Sequence, residues 1–259
     1  MIDTHAHLDQ PQFDPDREAV LGRSGLAGVE AIVCVGTDLA SSRAAVRLAE
    51  TCPGVYAAVG IHPNSSAEAG PDDWAQVAAL PEHPRVVAVG ETGLDRYRDF
   101  APLELQRGCF RRHLLLARDC DLPVVIHCRD AWEDMLPLLR DATVGGPVCG
   151  VLHAFSGDAA TLAECLALGL YVSFAGNVSY KNKKFQALRA AAAAAPPDRL
   201  LIETDSPYLV PEPLRGRQQR NEPAFLTHTA TALAALRGVT PETLAAQTAD
   251  NARRLFRIA

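Results

Sequence analysis

Eight short apolar runs recur along this sequence, and each is followed by a longer segment whose apolar residues repeat with a helical period. Most of the runs are continuous stretches of Val, Ile and Leu, which is typical of parallel strands buried on both faces. Eight strand–helix units in 259 residues predict an α/β fold, a (β/α)8 or TIM barrel, which takes about 250 residues. An open, doubly wound sheet is the alternative, but no Gly-x-Gly-x-x-Gly or Walker A sequence follows a run. The predicted strands cover residues 2–8, 31–35, 55–61, 85–90, 123–128, 148–153, 171–174 and 200–204.

Helical segments fill the chain between these runs and after the last one. Near the C-terminus Thr240 precedes Pro241, an arrangement typical of a helix start with proline in the first turn. No linker and no repeat beyond the strand–helix unit interrupts the pattern, so residues 1–259 are expected to form a single domain. The predicted helices cover residues 17–26, 41–51, 73–80, 103–121, 132–141, 159–168, 185–195, 224–236 and 241–256.

Composition and charge favour an ordinary globular protein of the cytoplasm. The chain is 48% hydrophobic and 22% charged, and no apolar run reaches the roughly 18 residues of a membrane span. We expect neither a signal peptide nor attachment to a membrane. The seven cysteines include no Cys-x-x-Cys pair, which favours a reducing compartment. A net charge of −6 argues against a general basic surface for duplex nucleic acid, and no pattern points to a protein partner.

The first run carries two histidines one residue apart. Residues i and i+2 of a strand share a face, so His5 and His7 project side by side with Asp3 just below them. Paired imidazoles on one strand face are a common way to hold a metal ion. A hydrogen-bonded pair in the protein core is the alternative, and the rest of the chain decides between the two.

Ionisable residues also stand at the carboxyl ends of other predicted strands. Glu91 follows the fourth run, and Asp205 stands at the end of the eighth. His127 and His153 end the fifth and the sixth. A buried ionisable group is costly unless it is paired or bound to metal, and the C-terminal rim of a barrel is where active sites form.

Four histidines and two carboxylates exceed the ligand number of one tetrahedral zinc ion. They suit two divalent metal ions bridged by a carboxylate. Imidazole ligands favour Zn²⁺ or Mn²⁺, whereas phosphoryl chemistry often uses Mg²⁺, so the identity of the metal stays open. The predicted ligands are His5, His7 and Asp205 for one ion and His127 and His153 for the other, with Glu91 as the bridge.

Seven motifs run through the chain in order: Asp3-Thr4-His5-Ala6-His7-Leu8-Asp9, Gly60-Ile61-His62-Pro63, Gly90-Glu91-Thr92-Gly93-Leu94-Asp95, His127-Cys128-Arg129-Asp130-Ala131, Phe155-Ser156-Gly157, Glu203-Thr204-Asp205-Ser206-Pro207-Tyr208 and Arg220-Asn221-Glu222-Pro223. In these motifs the sequence resembles the TatD-type metal-dependent deoxyribonucleases of the amidohydrolase superfamily. The departures are small: Ala154 stands where that family usually has Cys, Arg96 where Tyr is usual, and Cys128 in place of a common Ser. None of them removes a predicted ligand.

The resemblance implies a phosphodiesterase that acts on DNA, with removal of nucleotides from the 3′ end of single-stranded or frayed DNA favoured over internal cutting. A water molecule activated by two metal ions is the expected nucleophile, and Glu91, Asp205 and Glu203 are the candidate catalytic carboxylates. Glu203 is either a second acid–base group, the partner of a metal ligand, or the partner of an arginine. Two other functions stay open: an amide or ester hydrolase, such as a deacylase, with the same metal site, and a non-catalytic protein that stores metal or binds a partner.

Two rim residues are candidate contacts of phosphate groups. Arg129 lies two residues past the fifth-strand histidine and suits a phosphate clamp, or else it pairs with Asp130 or Asp95. His62 ends the third run, where it either hydrogen-bonds a phosphate oxygen or braces the rim.

The three lysines of the chain form a third candidate. Lys181, Lys183 and Lys184 all follow the seventh run, and every other base is Arg or His. Lys181 is nearest the strand end and is the predicted phosphate contact. The alternative is that the group is only the solvated start of a helix.

Overall fold

Eight parallel strands form one sheet in the computed structural model, which describes residues 1–98 and 100–258. Strands that are neighbours in the sheet are also neighbours along the chain, from β1 through to β8. Helices alternate with the strands, so the predicted (β/α)8 barrel is confirmed. The strands are β1 (Ile2–Ala6), β2 (Ala31–Val35), β3 (Val55–Val59), β4 (Val86–Asp95), β5 (Val124–Arg129), β6 (Gly150–Leu152), β7 (Tyr171–Phe174) and β8 (Leu200–Ile202).

Polar contacts between β8 and β1 bring the two edges of the sheet together. The Thr4 hydroxyl donates to the carbonyl of Ile202 over 3.0 Å. Just beyond β8, the amide of Asp205 donates to the carbonyl of His5 over 2.9 Å. The sheet is therefore a nearly closed barrel, and the ends of β1 and β8 lie side by side.

The helices pack around this barrel with boundaries close to those predicted. The Thr240 hydroxyl accepts a hydrogen bond from the amide of Thr243 over 3.2 Å, as expected for the helix that starts at Pro241. No helix in the described ranges combines the length and the apolar character needed to cross a bilayer. The helices are α1 (Arg17–Leu26), α2 (Leu39–Thr51), α3 (Asp73–Ala79), α4 (Leu103–Asp119), α5 (Trp132–Thr143), α6 (Ala159–Ala167), α7 (Gln186–Ala194), α8 (Leu226–Arg237) and α9 (Pro241–Phe256).

The fourth strand corrects the prediction that it ends at residue 90 and that Glu91 follows it. β4 continues to Asp95, because its pairing with β5 shifts register once and then resumes as far as that residue. Gly93 permits the close approach, since its φ is +142° and a Cβ there would lie 2.0 Å from the carbonyl oxygen of His127. Glu91 and Asp95 consequently lie four residues apart on one strand.

Alternating strand residues fill the barrel with apolar side chains at one end and polar side chains at the other. In β5, Val125 belongs to the inner apolar cluster and His127, two residues on, shares its face. Val151 likewise belongs to this cluster, and His153 follows it by two residues. Residues of α9, such as Phe256, join the apolar cluster at the opposite end. The polar side chains are thereby gathered at the carboxyl ends of the strands.

Candidate metal centre

The six predicted ligands lie together at the carboxyl ends of the strands, with Glu91 in the middle. Its two carboxylate oxygens face different pairs of histidines. Glu91 Oε1 lies 2.8 Å from His127 Nδ1 and 2.8 Å from His153 Nε2. Glu91 Oε2 lies 3.3 Å from His5 Nε2 and 3.7 Å from His7 Nε2. One carboxylate thus contacts two separate pairs of imidazoles.

Asp205 adds a second carboxylate to the pair formed by His5 and His7. Its Oδ1 atom lies 3.6 Å from His7 Nε2 and 3.9 Å from His5 Nε2. The Asp205 side chain is 13% exposed, against 3% for Glu91, so it is the more accessible of the two carboxylates. Asp205 has a φ of +53°, in the left-handed region that Asp tolerates better than most residues.

Three of the four histidines are oriented by a hydrogen bond from their outer ring nitrogen, the one that faces away from Glu91; the inner nitrogen is the one that faces Glu91. His7 Nδ1 donates to a backbone carbonyl of β2 over 2.8 Å. His127 Nε2 donates to Asp95 Oδ2 over 3.3 Å, and His153 Nδ1 donates to Glu203 Oε1 over 3.3 Å. Such contacts fix the tautomer and the orientation of a ligating histidine, and they leave the inner nitrogen with a lone pair.

The inner nitrogens of the histidines suit bound cations. His127 Nδ1 and His153 Nε2 lie 3.1 Å apart, and His5 Nε2 and His7 Nε2 lie 3.2 Å apart. Lone pairs this close repel each other unless a proton or a metal ion lies between them. Each pair also shares with Glu91 a set of ligand atoms that lie within 4.8 Å of one another. The residues therefore fit divalent metal ions with imidazole and carboxylate ligands.

Burial and mutual charge set the protonation of the cluster. Burial alone raises the pKa of a carboxyl group, but the charge of His153 and of neighbouring histidines brings the pKa of Glu91 well below its usual value. Burial lowers the pKa of His5. For His7 burial is outweighed by the neighbouring carboxylates of Asp205 and Glu91, which raise its pKa to about 9. Metal ions consequently compete with protons for these histidines.

Asp95 also lies against the cluster, although its position in the sequence indicated only an ion-pair partner for Arg129. Its carboxylate contacts His127 and accepts a hydrogen bond from the amide of Tyr97 over 2.8 Å. Burial opposes ionisation, but the hydrogen bonds from His127 and from the amide of Arg98 prevail and lower the pKa of Asp95. The spacing of Glu91 and Asp95 could have indicated this role, because residues four apart in a strand share a face. That reasoning requires β4 to continue to Asp95, beyond the end predicted from the sequence.

Asp3 and Glu203 lie beneath the cluster. Asp3 accepts hydrogen bonds from the amide of Thr204 over 2.9 Å and from its hydroxyl over 2.6 Å, and burial raises the pKa of Asp3 to about 7. Glu203 Oε1 accepts from the amide of Ala154 over 2.8 Å, in addition to its contact with His153. Both carboxylates thus hold together strand ends that carry candidate ligands.

His62 lies at the edge of the cluster. Its Nδ1 accepts a hydrogen bond from the amide of Asn64 over 3.0 Å, so the proton of the neutral ring is on Nε2. That nitrogen lies 3.4 Å from Glu91 Oε1. His62 therefore presents an N–H donor to the cluster.

Arg129 and Lys181 are exposed at the same end of the barrel. The Arg129 guanidinium lies 3.7 Å from the centre of the Tyr97 ring. Within the described residues it forms no ion pair with Asp95 or Asp130, the partners considered from the sequence. Lys181 forms no hydrogen bond or ion pair with any residue of the described ranges, and its contact with phosphate stays a prediction.

Comparison with known proteins assigns the chain to a family. The model of the family described as "TatD related DNase" matches residues 2–257. The chain belongs to the TatD family. It is 41% identical over 258 residues to the "Uncharacterized metal-dependent hydrolase YabD" of Bacillus subtilis, and this alignment covers 100% of this chain and 99% of that protein.

Two proteins whose names refer to TatD also match over the whole chain. The "3'-5' ssDNA/RNA exonuclease TatD" of Klebsiella pneumoniae is 38% identical over 260 residues, 100% of this chain and 98% of the relative. The crystal structure of the TatD homologue YJJV from Escherichia coli K12 superposes with a TM-score of 0.92 and 31% identity, and covers 100% of this chain and 98% of that one. The predicted family and the predicted metal-dependent hydrolase activity are therefore confirmed.

Proposed function

We propose that this TatD protein is a deoxyribonuclease that removes nucleotides from the 3′ end of single-stranded or frayed DNA. The observation that carries the proposal is the position of Glu91, whose two oxygens face two separate histidine pairs. This is the arrangement that a bridging carboxylate requires between two metal ions. The proposed ligands are His5, His7 and Asp205 for one ion and His127 and His153 for the other, with Glu91 shared by both.

Bound Mg²⁺, Mn²⁺ or Zn²⁺ ions would polarise the phosphodiester and lower the pKa of a water molecule, which makes that water a nucleophile at neutral pH. We assign to Asp205, the more accessible of the two carboxylates, the role of accepting a proton from the attacking water. His62 offers its Nε2–H to a phosphate oxygen that gains charge during the reaction. Glu203 acts through His153, whose Nδ1–H it accepts.

The relatives and the rim support nucleic acid as the substrate. The Klebsiella pneumoniae relative is named as a 3′–5′ exonuclease of single-stranded DNA and RNA. Arg129 adds an exposed cation two residues past His127. The net charge of the protein is −6, so the binding of DNA rests on the metal ions and on a few basic side chains near the site. This favours a short single-stranded segment over a long duplex. We also propose a cytoplasmic location, consistent with seven free cysteines.

Hydrolysis of end-labelled oligonucleotides tests this function. With Mn²⁺ or Mg²⁺, the wild-type protein should shorten single-stranded DNA from its 3′ end and act weakly on a stable blunt duplex. Glu91→Gln keeps the size of the side chain but removes its charge, and it should abolish hydrolysis. Asp121→Asn is the matched control, because Asp121 is exposed at the other end of the barrel and pairs with Arg257; this variant should hydrolyse at the wild-type rate.

The alternatives give different results in the same assays. Shortening from the 5′ end, or early cuts in closed circular DNA, would contradict the proposed polarity. Turnover of acyl or amide substrates without hydrolysis of DNA would identify an amide or ester hydrolase instead. No turnover of any substrate with any of the three metals would favour a protein that stores metal or binds a partner.

A further inference from the structure

Two exposed tyrosines stand at the rim beside the cluster of metal ligands. Tyr97 follows β4 and is 58% exposed, and Tyr208 follows β8 and is 49% exposed. Large aromatic side chains usually bury most of their surface. Two exposed rings at the edge of one polar site therefore indicate contact with a substrate.

Tyr97 is connected to the cluster through Asp95. The Tyr97 amide donates to Asp95 Oδ1 over 2.8 Å, and Asp95 Oδ2 lies 3.3 Å from His127 Nε2. The Arg129 guanidinium lies 3.7 Å from the centre of the Tyr97 ring. This stacking orients the ring and places a positive charge beside it. An aromatic face next to a cation suits a nucleobase and its adjoining phosphate.

Tyr208 is connected to the other side of the cluster. Its amide donates to the carbonyl of Asp205 over 2.8 Å. Its ring lies 6.1 Å from the ring of His7, edge to face. The Tyr208 hydroxyl accepts a hydrogen bond from Gln10 Nε2 over 2.9 Å. These contacts hold the ring at the rim while nearly half of the residue stays exposed.

The order of the strands places the two tyrosines on opposite sides of the cluster. Tyr208 contacts His7, just after β1, whereas Tyr97 is connected to His127 on β5. β1 and β5 lie across from each other in a ring of eight strands. A substrate that touches both rings therefore has to pass over Glu91, between the two histidine pairs.

We propose that Tyr97 (with Arg129) and Tyr208 are two base-stacking platforms that hold a single DNA strand on either side of the scissile phosphate. This inference rests on the proposed nuclease function and adds how that substrate is recognised. Every base has a stacking face, so such contacts do not depend on sequence. Bases in a stable duplex are already stacked and paired, so the platforms select single strands and frayed ends.

The test compares an ordinary single-stranded oligonucleotide with a strand of equal length built from abasic sites, which keeps the phosphates but has no bases. KM and kcat are measured for both with Mn²⁺. Tyr97→Ala and Tyr208→Ala should each raise KM for the ordinary strand by about fivefold to about a hundredfold. For the abasic strand neither change should alter KM, because no base is present to stack.

Two variants separate the loss of a platform from general damage. Tyr97→Phe keeps the ring and should keep the wild-type KM for the ordinary strand. Tyr171→Ala is the matched control, since Tyr171 begins β7 at the opposite end of the barrel and has the Arg199 guanidinium 5.0 Å from its ring centre. It should also behave as the wild type.

The outcomes that overturn the platforms differ from those that overturn the nuclease. If both alanine variants at the rim keep the wild-type KM, or raise KM equally for the ordinary and the abasic strand, the proposal of base-stacking platforms is wrong. The proposed nuclease function still stands in that case. If the wild-type protein hydrolyses neither strand, the proposed function itself fails, and the platforms fail with it.

Discussion

The stability of the protein should fall in mild acid, partly because of a single buried histidine on α4. His113 is fully buried. Its Nε2 accepts a hydrogen bond from the amide of Ile61 over 2.9 Å, and its Nδ1 donates to the carbonyl of Cys109 over 2.8 Å. The ring is therefore neutral, and burial lowers its pKa from 6.5 to about 4. Because Ile61 precedes His62, the same ring also supports the rim.

The sign of the effect follows from which state takes up the proton. Between pH 6.5 and pH 4 the unfolded chain protonates this histidine and the folded protein does not. The stabilisation is thus present above pH 6.5 and is lost as the pH falls through this window. At 1.36 kcal/mol per pKa unit, the loss between pH 7 and pH 5 is ~2 kcal/mol.

Urea denaturation of the metal-free protein at pH 7 and at pH 5 measures this loss. His113→Gln keeps one donor and one acceptor but does not titrate, so it does not lose this stabilisation in acid. The difference in unfolding free energy between the wild type and His113→Gln should therefore be smaller at pH 5 than at pH 7 by ~2 kcal/mol. Leu114→Ala, at a buried position on the same helix, is the control, and its packing deficit should be equal at both pH values. An equal deficit of His113→Gln at the two pH values would refute the reasoning.

Three other changes address the site and its support. Asp95→Asn should lower metal affinity by about tenfold to a hundredfold, because outer partners orient ligating histidines; calorimetric titration with Mn²⁺ measures it, and an unchanged affinity would refute this role. Gly93→Ala should cost ~2 kcal/mol or more, since φ is +142° and a Cβ would lie 2.0 Å from a carbonyl of β5. Thermal unfolding beside Gly22→Ala, where a Cβ meets open space, gives the comparison, and equal Tm values would count against it. Lys181→Ala should raise KM for DNA. It should also reduce, by roughly one unit, the slope of the logarithm of DNA affinity against the logarithm of salt concentration, whereas Lys183→Ala should change little. Identical behaviour of the two variants would assign the lysines to a solvated helix start.

The barrel and the group of candidate ligands were predictable because both depend on local patterns. Runs rich in Val, Ile and Leu are typical of strands buried on both faces, and the eight strands alternate with helices. Alternation along a strand then places a polar residue on the inner face, as in the step from Val125 to His127.

The pairing of strands and the contacts of loops were not predictable in this way. A glycine normally weakens a strand, but Gly93 permits the close approach that extends β4, so Asp95 was not recognised as the partner of His127. Tyr97 and Tyr208 are far apart in the sequence and flank one site only because the barrel closes. No local pattern contains that information.

The number of metal ions bound per chain tests most directly the claim that Glu91 joins two metal positions. Elemental analysis after saturation with Mn²⁺ and removal of the excess gives this number for the wild type and for Glu91→Gln. We expect two ions per chain in the wild type, and in Glu91→Gln the loss of at least one ion together with the loss of hydrolysis. A wild-type protein that binds a single ion, or a Glu91→Gln protein that holds two ions and hydrolyses DNA normally, would contradict the claim.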